Sequence, residues 1–138
     1  MLVKSEIKVR GYHLDVFQHV NNARYLEFLE EGRWAFFEEN CNFDGWPEGI
    51  SFVVVNININ YRRPAGLGDI LEVRTAISTL RAKSGVMHQE IILQSDGAIV
   101  VDADVTFVIV DSKTQKTLPL KGSLIAFFDR LADPKDIA

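Results

Sequence analysis

The chain has 138 residues, 47% of them hydrophobic and 25% charged, with a formal net charge of −4. This is enough apolar material for one packed core and excludes pervasive disorder, while the acidic balance leaves no global positive field to recruit nucleic acid or an anionic membrane. Cys41 is the only cysteine, which excludes an internal disulfide and a cysteine-rich zinc site and fits a reducing compartment.

The first ten residues interleave charges with apolar side chains and lack the continuous apolar stretch of a signal peptide. The longest apolar runs, Phe52 to Val55 and Val105 to Val110, are too short to span a bilayer. These features predict one cytoplasmic domain over residues 1–138, with neither membrane nor nucleic acid as partner. Glu6 to Tyr12 alternates Ile7, Val9 and Gly11 with Lys8, Arg10 and Tyr12, the period of a half-buried strand. From Asn22 to about Glu39, residues Tyr25, Phe28, Leu29, Gly32 and Phe36 recur at helical spacing, and Glu27, Glu30, Glu31 and Glu38 lie largely off that stripe.

Cys41 to Gly49 is rich in turn formers and ends the helix. Phe52 to Tyr61 reads as a strand whose last residues send Asn56, Asn58 and Asn60 to one face, and Arg63 to Gly68 reads as a turn. Three further strands are predicted at Ile70 to Leu80, Gly85 to Gln94 and Ala98 to Asp111, joined by hairpin chemistry at Arg81 to Gly85 and Ser95 to Gly97. A short helix through Ile125, Phe128 and Leu131 closes the chain, ended by Asp133 and Pro134. One strand, one long helix and a run of long strands predict α+β architecture, with the helix packed on one face of an antiparallel sheet.

Asp15 lies a short loop before the long helix, so a base or nucleophile is placed near backbone donors able to hold an oxyanion. An aspartate there is commonly a cap or turn former, but Asn21 and Asn22 stand closer to the helix start as cap candidates. Asp15 sits among Leu14, Val16 and Phe17, and a carboxylate desolvated in such surroundings needs a reason to be there. His19 is the other titratable candidate; the more economical reading gives it a role in fixing the loop. His13 and His88 have no partner at metal-ligand spacing, and no metal site is predicted. Glu30 and Arg33 stand at ion-pair spacing on the helix.

Three segments carry a resemblance: Arg10-Gly-Tyr-His-Leu-Asp15 with His19-Val-Asn-Asn-Ala-Arg-Tyr-Leu-Glu-Phe-Leu-Glu-Glu-Gly-Arg33, then Ile59 to Asp69, then Val101 to Phe107. Together they resemble the hydroxybenzoyl-CoA thioesterase branch of the hotdog-fold superfamily, and within it the bacterial long-chain acyl-CoA thioesterases associated with fatty-acid degradation. The resemblance implies a hotdog fold, an antiparallel sheet of about five strands wrapped around one long central helix. It implies hydrolysis of acyl-CoA thioesters, of medium to long chain, with Asp15 as the catalytic aspartate and the backbone N–H at Asn22 as the donor to the thioester carbonyl. It requires no cofactor, and it implies a homodimer or homotetramer with active sites at the subunit interface. Many relatives carry glycine where this chain has Gln18, which is expected to line the site. The rival readings are an acyl-CoA binding or regulatory protein that does not hydrolyse its ligand and, ranked lower, a hydratase-like lyase.

Arg62 and Arg63 emerge from a turn stiffened by Pro64 and are the leading candidates for the coenzyme A phosphates, with Lys83 and Ser84 in another turn as weaker ones. Tyr25, Phe28, Leu29 and Phe36 are candidates to line an acyl slot, a role that competes with simple core packing.

Overall fold

The computed structural model describes residues 2–41 and 45–132. Its elements in chain order are β1 (Val3–Lys8), α1 (Asn22–Cys41), β2 (Ile50–Tyr61), β3 (Ile70–Leu80), β4 (Gly85–Leu93), β5 (Ile99–Asp111), β6 (Thr117–Leu118) and α2 (Ser123–Leu131). All strand pairs are antiparallel, in the order β1-β3-β4-β5-β2, with β6 paired to β5. The long helix lies on one face of this sheet, the hotdog arrangement. The sheet has six strands where about five were expected; the addition is the two-residue β6.

The other long elements fall within two residues of the expected bounds, and two larger departures from the sequence reading have local causes. The first strand was expected over Glu6 to Tyr12 but runs from Val3 to Lys8, because Gly11–His13 curls into a 3₁₀ turn. That turn is closed by the His13 ring, whose Nδ1 accepts the Arg10 N–H at 2.8 Å. The second difference lies in β2, where the pairing with β5 slips between Val54 and Asn56. The extra residue switches the parity of the strand, so Phe52 and Val54 before it and Ile57 and Ile59 after it all pack inward, while Val55 is left 56% exposed. The expected helix stop at Asp133 and Pro134 lies outside the described residues.

The helical stripe read from the sequence is the core face: Tyr25, Phe28, Leu29, Gly32 and Phe36 are all buried. Around the start of α1 they join Val73, Ile91, Val101 and Ala103, and around its end Phe36 and Phe37 join Phe107, Ile109 and the α2 residues Phe127 and Phe128. Each large apolar side chain buried in this way contributes about 1.5–3 kcal/mol, so the face of α1 is held chiefly by packing.

One polar contact fixes where along the sheet the helix sits. Gly32 has no side chain, and a Cβ there would lie 2.6 Å from Val73 Cγ1 and 2.8 Å from Thr75 Oγ1. Beside it the fully buried Gln89 donates to the Leu29 carbonyl and to Thr75 Oγ1, both at 2.9 Å, and accepts from Arg33 Nη1 at 3.1 Å. Removing the amide strands a guanidinium and a hydroxyl, which costs far more than the net value of each bond. Replacing Gln89 with Leu is expected to lower stability by about 2–4 kcal/mol, read from urea unfolding midpoints at unchanged slope.

Candidate active site

Residues His13 to Asn21 form a small hairpin that delivers the chain to α1. His13 O accepts the Asn21 N–H, and His19 O accepts the Asp15 N–H, each at 2.9 Å, while Leu14 and Val20 face each other as a bridge. Asp15 is thereby held opposite His19, which itself stands three residues before the start of α1. Its half-buried carboxylate accepts the Phe17 N–H at 2.9 Å through Oδ1, and Gln18 N–H bonds back to the Asp15 carbonyl. The apolar surroundings expected for Asp15 are absent in the single chain, because the tight turn throws Val16 and Phe17 outward to 83% and 77% exposure.

The turn explains the departure at Gln18. Its φ is +64°, the left-handed region that glycine enters without penalty and other residues enter at a cost of about 1–2 kcal/mol. A glycine is natural at this point for backbone reasons, and Gln18 adopts the same conformation despite its side chain, which is exposed.

At the helix start the amides divide cleanly. Asn21 is the cap: its Oδ1 accepts the Ala23 N–H at 2.9 Å and its carbonyl accepts the Arg24 N–H at 2.8 Å, while its own N–H goes to His13 O. Among the described residues only the Asn22 N–H of this group has no acceptor. The carbonyl of Asn22 accepts from Tyr61 Oη at 3.4 Å, which ties the helix start to the end of β2.

The remaining candidates fall into distinct places. The exposed His19 ring makes no hydrogen bond among the described residues; the residue fixes the loop through its backbone, which bridges to Gly66. Tyr25 is buried against Phe28 and Tyr61, and its hydroxyl has no well-formed hydrogen bond. Desolvation, opposed by the Ala65 backbone and reinforced by Asp69, pushes that phenol up to about 12, so it stays protonated. Phe28, Leu29 and Phe36 are core, whereas an open apolar cleft of about 520 Å³ lies on another side of α1, between Trp34, Phe37, Trp46 and Phe52. The sequence stripe could not reveal it, since its walls come from the flank of the helix and from residues beyond it.

Arg62 pairs with the half-buried Asp102 at 2.7 Å, and Arg63 with Asp96 at 2.9 Å in solvent. The hydrogen bond from Arg62 holds the Asp102 carboxyl below the usual carboxylate range. Lys83 and Ser84 belong to the β3–β4 turn, which opens where β4 begins beside Phe107, whereas Tyr61 pairs with Val101. Six residues of β5 separate those points, about 20 Å, so within one copy the two basic groups do not converge. Arg33 does not pair with Glu30 as its spacing suggested; it turns inward to Gln89, and Glu30 accepts from Trp34 Nε1 at 3.4 Å.

The buried His13 supports the hairpin from below, stacked edge-on against Tyr12 and Phe28. Burial first, then the nearby Arg24 and Arg10 opposed by Glu27, lower its pKa from the ordinary 6.5. A neutral histidine in the folded state makes no difference to stability above that value; below it the unfolded chain takes up a proton that the folded chain refuses. Stability is therefore expected to fall as pH drops below about 6.5, and His13→Asn to flatten that part of a melting-temperature profile between pH 5 and 8.

The thioesterase-like superfamily model matches residues 9–128, which includes the hairpin, α1 and every long strand after it. The chain is 56% identical over 124 residues to the long-chain acyl-CoA thioesterase FadM of Escherichia coli K12, covering 88% of this chain and 93% of that protein. It is 31% identical over 112 residues to the acyl-CoA thioester hydrolase YbgC of Escherichia coli, covering 79% and 82%. Among solved structures, the probable thioesterase YbaW of Escherichia coli superposes with a TM-score of 0.87 at 53% identity, over 94% of this chain and 98% of that one.

Proposed function

Since the chain belongs to the thioesterase-like superfamily and is an acyl-CoA thioesterase, we propose that Asp15 carries its chemistry and the Asn22 N–H its oxyanion stabilisation. The observation that carries this reading is the Asn22 N–H, which has no acceptor among the described residues and lies three residues beyond His19, against which the hairpin holds Asp15. A thioester carbonyl seated on the Asn22 N–H gains a donor aligned with the helix dipole, and one such donor contributes about 3 kcal/mol to acyl transfer. Asp15 then either deprotonates a water for attack on that carbonyl or attacks it directly; the products are the free acid and coenzyme A.

The substrate is a medium- to long-chain acyl-CoA. Arg62 and Arg63 meet its phosphates, since both guanidinium groups are themselves exposed and the Arg63–Asp96 pair lies in solvent, where such pairs are weak. Lys83 and Ser84 are secondary contacts. Tyr25, a fixed neutral phenol beside the helix start, and Gln18, on the rim of the hairpin, bound the reacting end. His19 orients the loop.

Among the described residues the outer edge of β2 has no partner strand; from Ile50 to Tyr61 the strand has no charge and no proline, and it exposes Val53 and Val55. An edge of that length is protected by pairing, so two copies join there into a homodimer, which can double to a homotetramer. The half-exposed free thiol of Cys41 suits the cytoplasm. No helix among the described residues is long and apolar enough to cross a membrane.

Asp15→Asn is expected to lower kcat by about a thousandfold while the dissociation constant for a non-hydrolysable acyl-CoA analogue changes less than about threefold. Undiminished turnover in that variant would remove Asp15 from the chemistry.

A further inference from the structure

We propose that the cleft between α1 and β2 reads a hydroxyl group carried far along the acyl chain, with Arg33 as donor and Glu30 as acceptor. This rests on the thioesterase reading above and names its substrate class: long-chain acyl-CoA hydroxylated near mid-chain.

The cleft and the proposed reacting end lie along the same helix and the same strand. Helix α1 runs antiparallel to β2, with Asn22 beside Tyr61 at one end and Phe37 ringed against Phe52, centroids 5.1 Å apart, at the other. Along this seam the helix start holds the thioester carbonyl, and the cleft of about 520 Å³ receives the far part of the chain. That volume is within the range of small-molecule pockets. Its walls are Trp34, Phe37, Trp46 and Phe52, as an alkyl chain requires.

Two polar groups in the same walls do not suit a plain alkyl chain. Arg33 is only 9% exposed, yet its one described acceptor is the neutral Gln89 amide, and no described carboxylate lies within ion-pair distance. The guanidinium has five N–H donors, so most of the fork is unspent where it lines the cleft. An alkyl chain packed over it would strip its remaining water and offer nothing in return. Glu30 stands on the same wall, one helical turn back, with a carboxylate that already accepts from Trp34. A hydroxyl satisfies both, accepting from Arg33 and donating to Glu30. A keto oxygen satisfies only Arg33, and a carboxylate meets repulsion from Glu30.

The fold also places the hydroxyl. Arg33 stands eleven residues beyond Asn22, about 16 Å along the helix axis, and its side chain leans back toward the N-terminus by about one turn. An extended chain advances roughly 1.2 Å per bond, which sets the hydroxyl about nine to thirteen bonds from the thioester carbonyl.

The test is kcat/KM of the purified full chain for octadecanoyl-CoA, 12-hydroxyoctadecanoyl-CoA and 3-hydroxyoctadecanoyl-CoA. The 12-hydroxy chain is expected to exceed the plain chain by about tenfold or more, and the 3-hydroxy chain to gain nothing comparable. Glu30→Ala and Arg33→Met are each expected to bring the 12-hydroxy advantage within about twofold of unity. Arg33→Met also deprives Gln89 of a partner; if it fails to fold, Glu30→Ala on the exposed helix face carries the comparison. No advantage in the wild-type protein, an equal gain for the 3-hydroxy chain, or an advantage that survives both substitutions would overturn the assignment. Hydrolysis of none of the three chains would instead overturn the thioesterase reading beneath it.

Discussion

Gly32 and Gln89 together set the position of the long helix, and the functional geometry follows from that position. The missing side chain lets the helix backbone close on β3 and β4, and the buried amide then bonds to the Leu29 carbonyl, Thr75 and Arg33. Apolar packing alone would tolerate some sliding of α1 along the sheet, because contact between aliphatic surfaces is not directional. Three directed bonds in a dry interface leave one register. With the helix fixed there, Asn22 meets the end of β2 and Phe37 meets its beginning.

That register divides labour along one helix. Its start is polar and over-determined: the hairpin hydrogen bonds hold Asp15, the cap residue takes the neighbouring amides, and the Asn22 N–H has no acceptor among the described residues. Its far half is aromatic, with Trp46 and Phe52 closing over Phe37. An acyl-CoA presents the same sequence of needs, a reacting carbonyl followed by an apolar chain, and in the proposed site a single helix and a single strand serve both. The cost appears at Gln18, held at φ +64° so that the turn before the helix can close.

The sequence made the long strands and the helix legible because their periodicity is strong. Ile70 to Leu80 begins and ends as read, and Asn22 opens the helix as the pattern requires. The bulge in β2 was hidden inside Val53-Val54-Val55, where three equal side chains carry no parity signal. The 3₁₀ turn at Gly11–His13 was hidden because alternation continued through it, and only the His13 ring closing on Arg10 betrays it. At the site, the type and spacing of Asp15 and Asn22 were readable from the motif, and the reason for Gln18 was not, since backbone dihedrals leave no mark on a residue that tolerates them poorly. The aromatic cleft was equally invisible: Trp34, Trp46 and Phe52 come from three segments that only the fold brings together.

The central claim is that the donor at Asn22 is backbone, and proline tests it directly. Proline is favoured at the first helical position, where its missing N–H costs the helix nothing, and a cap residue typically has the extended conformation that proline demands of its predecessor. Asn22→Pro is expected to keep the wild-type melting temperature within a few degrees and to lower kcat by about a hundredfold to a thousandfold, whereas Asn22→Ala stays within about threefold of wild type. A proline variant that turns over at the wild-type rate, or an alanine variant as impaired as the proline one, would contradict it.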